Sequence, residues 1–201
     1  MLIALQTDSN NNPNNNYLNI SLEEFLALPE TKPASEYIDG QIYQKPMPQG
    51  KHSKLQIGFA SQINQKGEAA CIVYAFTELR CTFAGRSIVP DIAVFEWERI
   101  PVDDDGEIMN RITIAPDWII EILSPDQSIL EIIDKISFAI KNGTKLGWLI
   151  SPKEKKVLVF QGNRLPETKS GELQLPILDI FPDWQLTVTD LFSLLTFTSK
   201  K

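Results

Sequence analysis

The sequence predicts an α/β (α+β) protein with a central mixed β-sheet flanked by α-helices. Three observations carry that prediction. Short β-branched runs are interleaved with two segments of helical periodicity, at about residues 51–64 and 129–140. One run, Trp118-Ile119-Ile120-Glu121-Ile122-Leu123, is apolar on both faces apart from Glu121, as in a strand covered above and below. The order of elements, with helices between strands rather than after them, suits a sheet packed on both sides. At 201 residues and 43% hydrophobic, the chain can bury one sizeable core.

The elements follow in order. Residues 1–16 end in an Asn-rich tract and form an arm expected to be disordered. Ser21 with Glu24 three residues on has capping-box spacing and starts a short helix, which Pro29 and Pro33 end. Glu36–Tyr43 reads as a hairpin about Asp39-Gly40, a pair suited to positive φ. In the next helix Leu55, Phe59 and Ile63 share a stripe headed by His52. Strands are expected over Ala70–Ala75, Leu79–Phe83 and Ile88–Phe95, with a charged loop from Glu98 to Asn110 before the central strand. Ser128 with Glu131 predicts a second capping box. It starts a helix with Ile129, Ile132, Ile133, Ile136 and Ile140 inward and Gly143 as its stop. Leu146–Ile150 and Val157–Gln161 are further strands. The domain reading is therefore an arm (1–16), a main domain (17–162) and a C-terminal strand-and-helix appendage packed on it (163–201), with Leu191, Leu194 and Leu195 on a final helix.

Bulk properties restrict the function. The net charge of −7 counts against tight, nonspecific binding of duplex DNA, which draws on a basic surface. No apolar run approaches the roughly 20 residues that span a bilayer, and the N-terminus lacks a signal-peptide pattern, so a cytoplasmic protein with no membrane partner is expected. Cys71 and Cys81 fall on what reads as a hairpin centred near Phe76, where they could face each other. Two free, buried thiols in a reducing compartment are the expectation.

A carboxylate within an apolar strand is expensive to bury unless something offsets it. Asp91, in Ile88–Phe95, and Glu121 are two such residues, and both carry the hard oxygen donors that Mg²⁺ prefers. Four Pro-Asp pairs occur. Among their aspartates Asp117 shares a strand face with Glu121, but four residues at about 3.3 Å each put it roughly 13 Å away. Asp91, on a different strand, can converge with Glu121. Asp103-Asp104-Asp105-Gly106 lacks EF-hand ligand spacing and reads as a solvated loop.

Pro90-Asp91 followed by Glu121-x-Leu123 resembles the PD-(D/E)xK nuclease signature. Glu36-Tyr37-Ile38-Asp39-Gly40, His52, Pro90-Asp91, Pro116, Glu121-Ile122-Leu123-Ser124-Pro125, Lys135, Gly143 and Trp148-Leu149-Ile150-Ser151-Pro152 together resemble its Uma-type branch. The resemblance implies a restriction-endonuclease-like core and Mg²⁺-dependent hydrolysis of DNA, with Mn²⁺ as a substitute. Asp91, Glu121 and the backbone carbonyl of Ile122 would hold the metal. The lysine usual two residues after the glutamate is replaced by Leu123. Lys135 matches the lysine this family carries on the following helix, although it lies about 120° from the centre of the isoleucine stripe and would reach in from the flank. A solvated lysine is the alternative. His52 is read either as a water-positioning or phosphate-contacting residue or as a satisfied core histidine. Glu36 is read either as a third carboxylate near the metal or as a surface charge. Ala139 and Ser151 depart from the family pattern. A catalytically inactive nuclease-fold interaction module is the competing function, and a homodimer suits cleavage of two strands.

Overall fold

In the computed structural model, residues 20–125, 127–181 and 183–197 are described; the N-terminal arm lies outside them. The chain begins with helix α1 (Leu22–Leu26) and the hairpin β1 (Ser35–Ile38) and β2 (Gln41–Gln44). Helix α2 (Gly50–Gly67) follows, then β3 (Val73–Thr77), β4 (Cys81–Phe83), β5 (Arg86–Ile88) and β6 (Ile92–Glu96). After a long loop come β7 (Trp118–Ile122), α3 (Ile129–Lys141), β8 (Leu146–Ser151), β9 (Lys156–Gln161), β10 (Glu167–Ser170) and α4 (Val188–Ser193).

Local chemistry sets several of these elements. Ser21 Oγ accepts from the Glu24 amide while Glu24 accepts from the Ser21 amide, a complete capping box. Asp39 and Gly40 both take positive φ, 50° and 87°, as a two-residue hairpin turn requires. The expected box at Ser128 does not form, because its side chain caps no amide and Glu131 instead lines a cavity.

The larger sheet runs β10-β9-β8-β7-β6-β3. Only β7 and β8 pair in parallel; every other neighbouring pair is antiparallel. The mixed sheet flanked by helices is thus the architecture the sequence predicts. A parallel pair needs a crossover, which α3 supplies. On one face Trp118, Ile120 and Ile122 join Leu55, Phe59 and Ile63 of α2. The same core takes Leu175, Leu178, Phe181 and Leu191 from the C-terminal segment. On the other face Ile119 packs with Ile132, Ile136 and Ala139 of α3. Side chains alternate along a strand, so Glu121 shares the α3 face with Ile119. Gly147 lets α3 sit flush on β8: a Cβ there would lie 2.4 Å from Ile136 Cγ2.

Four further expectations are corrected. The run Ile88–Phe95 is two strands in different sheets. β5 belongs to the smaller sheet β2-β1-β5-β4 and β6 to the larger, with the switch at Val89-Pro90-Asp91, where proline has no N–H to continue a ladder. Phe76 lies inside β3, so Cys71 and Cys81 do not face each other; Cys71 is exposed at φ 51° and Cys81 is buried. The isoleucine stripe of α3 packs inward at Ile132, Ile136 and, partly, Ile133 and Ile140, but Ile129 (46% exposed) precedes the part that the sheet covers, and Lys135 and Ala139 join the buried face. Finally, α4 ends at Ser193, before Leu194 and Leu195.

Candidate active site

The chain's switch between sheets positions Asp91 beside Glu121. β6 and β7 pair with Ile92 opposite Ile120, so one further step of the antiparallel register sets Asp91 against Glu121. Their side chains are 2% and 1% exposed as residues, among the deepest charges in the protein. The Ile122 amide donates to Asp91 Oδ2 at 2.6 Å, which fixes the carboxylate to the end of β7.

Other elements bring partners to the pair. From α3, Lys135 Nζ lies 3.0 Å from Glu121 Oε1 and 3.0 Å from Glu36 Oε1. Glu36, in β1, also accepts the Val89 amide at 2.7 Å, so it is a buried carboxylate and not a surface charge. From α2, His52 Nε2 lies 3.3 Å from Asp91 Oδ1, and its Nδ1 is 3.3 Å from Ser124 Oγ. The structure therefore brings together Asp91, Glu121, Lys135, His52 and Glu36.

Two members were not foreseen. Lys45, just after β2, places its ammonium 2.7 Å from Asp91 Oδ1, 2.8 Å from the Val89 carbonyl and 3.1 Å from Glu78 Oε2. Glu78 in turn accepts from Gln56, whose amide nitrogen also donates to the Asp91 carbonyl. Ligand atoms of His52, Glu78 and Asp91 lie within 4.8 Å of one another. No local pattern marked Lys45 or Glu78. The one available signal was a lysine set between Gln44 and the Pro46–Pro48 break, a position with no periodicity.

Asp117 goes elsewhere. Its carboxylate pairs with Arg99 and Lys145 and accepts the Glu96 amide, which ties the long loop to β6 and β7. The Asp103–Gly106 loop is exposed, with Asp103 Oδ1 accepting the Asp105 and Glu107 amides.

The electrostatics of the cluster are uneven. Burial opposes charge on Asp91, yet the Lys45 ammonium and the His52 ring hold its carboxyl well below the usual range. Burial pushes Glu121 the other way, up to about 8, even though Lys135 favours its ionised form. Burial also opposes charge on Lys135, but Glu121, Glu36 and Asp91 more than offset it and keep the ammonium protonated. Lys45 behaves alike, with Asp91 as its main support. Once Glu121 ionises, four carboxylates face two ammoniums. The hard oxygen donors and this deficit of positive charge fit a divalent cation such as Mg²⁺.

The chain is similar to a crystal structure described as "a putative nuclease belonging to DUF820 from Anabaena variabilis ATCC 29413". The two are 50% identical with a TM-score of 0.86, over 88% of this chain and 99% of that one. No curated protein matches. Among the described residues no helix is long and apolar enough to cross a membrane. The Uma2 family model, described as "Putative restriction endonuclease", matches residues 22–189, and the chain belongs to that family.

Proposed function

We propose that the protein is a metal-dependent endonuclease that hydrolyses phosphodiester bonds in DNA. The observation that carries this reading is the cluster of buried Glu36, Asp91 and Glu121, with Glu78 at its exposed edge, faced by Lys45 and Lys135. Asp91, Glu121 and the backbone carbonyl of Ile122 would hold Mg²⁺, or Mn²⁺ in its place. A bound divalent ion supplies Lewis-acid stabilisation of charge on the phosphate and makes water more acidic.

The chain's own residues do the rest. Lys135 is anchored by Glu36 and Glu121 and stays protonated, so it acts as a fixed hydrogen-bond donor toward the phosphate or the attacking water, not as a base. It takes the place of the lysine that Leu123 displaces. His52 bridges Ser124 and Asp91, with Nδ1 3.3 Å from Ser124 Oγ and Nε2 3.3 Å from Asp91 Oδ1; as the Nε2–H tautomer it would orient that carboxylate. The same cluster would also serve a nuclease-fold protein that no longer cuts and only binds partners. The net charge of −7 and Leu123 favour that second reading.

Cleavage of plasmid and of single-stranded DNA with Mg²⁺ or Mn²⁺ tests the proposal. Cleavage by the wild type that Asp91→Ala and Glu121→Ala each reduce by at least a thousandfold supports it. Undiminished cleavage by both variants removes these residues from the reaction. A folded, metal-binding protein that cuts no substrate favours the interaction module.

A further inference from the structure

We propose that this site takes DNA as an unpaired single strand and excludes the intact duplex; the inference rests on the nuclease reading above. Its first support is depth. Glu36, Lys45, His52, Asp91, Glu121 and Lys135 are all buried. A duplex carries its phosphates on the outside of a rod that is stiff over about 150 base pairs, and such a rod cannot follow a phosphate into the interior. A single strand can.

The second support is the space around the cluster. A cavity of about 500 Å³, between Tyr43 of β2 and Leu130 of α3, reaches Glu36 and Lys135. A second cavity of about 280 Å³ reaches His52, Glu78 and Asp91. Both are bounded by Lys45, Pro46 and Gln127, so they adjoin at Lys45. A strand laid from one to the other carries a phosphate past Lys45, with a nucleotide on each side.

The third support is the character of the walls. Lys32, Lys45 and Lys135 face five carboxylates across the two cavities, which leaves no basic track of the kind that grips a duplex backbone. Arg86, at the outer edge, is already paired with Asp39 and Asp134. Apolar surface is available instead: Tyr43, Met47 and Leu130 (77% exposed) are uncovered at the cavities. Unstacked bases present flat apolar faces that such side chains hold without reading sequence. Bases within a duplex are already stacked and offer none.

Fluorescence anisotropy tests the inference in Ca²⁺, used here to support binding without turnover. The probes are one labelled 20-mer, its perfect duplex, and the same duplex with a central unpaired bubble. The single strand and the bubble are expected to bind at least tenfold more tightly than the duplex. Tyr43→Ala is expected to weaken the single strand about tenfold while leaving any duplex binding unchanged, with Tyr43→Phe close to wild type. In Mn²⁺, cuts should map to the unpaired segment. Equal or tighter binding of the duplex, or cuts within paired DNA, overturns the proposal and leaves the nuclease reading standing. Failure to bind or cut any of the three probes overturns both.

Discussion

Lys45 and Asp91 stand 46 residues apart in the chain and meet at 2.7 Å with both side chains buried. Neither charge is tenable at that depth alone, and each explains the other's ionisation. Replacing Lys45 by methionine keeps most of the volume and removes the charge. The metal-free variant should lose about 3–5 kcal/mol of stability, the usual cost of orphaning a buried partner. Urea unfolding measures the loss. Millimolar Mg²⁺ should restore more stability to the variant than to the wild type, because the cluster then lacks one more positive charge.

Glu121 makes the site sensitive to pH. Its folded-state carboxyl titrates near 8, above the unfolded value of 4.5. The stability it contributes is therefore complete below 4.5 and is lost as pH rises through about 8. The metal-free protein should weaken across this window, and Glu121→Gln should flatten that part of the profile in thermal melts. Cation binding needs the ionised form, so Mn²⁺ affinity should climb with pH and level off above about 8. Calorimetry in buffers of differing ionisation enthalpy should detect a released proton at pH 6.5 and none at pH 9.5.

Gly147 controls the seat of α3 and, through it, Lys135. A Cβ there meets Ile136 Cγ2 at 2.4 Å, and Ile136 is one residue from Lys135. Gly147→Ala should cost about 1–3 kcal/mol from overpacking. It should also lower metal-dependent cleavage by more than that loss of stability explains, since the helix must move off the sheet. Chemical denaturation and cleavage rates on the same preparation separate the two effects.

The two cysteines should behave differently. Burial pushes the Cys81 thiol up to about 12, while Cys71 is exposed. A thiol reagent at pH 8 should modify one cysteine of the native protein, and peptide mapping should place it at Cys71. Cys81 should react only on unfolding. By the same linkage, its contribution to stability is intact below 9 and lost as pH rises toward 12.

Features written in neighbouring residues were legible. Ser21 and Glu24 cap a helix because their partners lie three positions apart, and Asp39-Gly40 turns because those two residues tolerate positive φ. Trp118–Ile122 announces a central strand through its apolar run, and Glu121 stands out because charge is costly there. The choice of Asp91 over Asp117 followed from strand rise alone, and Asp117 indeed serves Arg99 and Lys145 instead.

The remainder was decided in three dimensions. Lys45 and Glu78 carry no local signal, since each acquires its meaning from partners tens of residues distant. Lys135 looked like a flanking residue because isoleucines were assumed to mark the buried face. The sheet covers Lys135 and Ala139 together with Ile132 and Ile136, and Glu36 and Glu121 repay the burial of the lysine's charge. Pro90 was read as part of one strand, whereas it marks where the chain leaves one sheet for another. Sequence determined which carboxylates were out of place; the folded chain alone decided which cations met them, because ion pairing depends on distance in space and not on order along the chain.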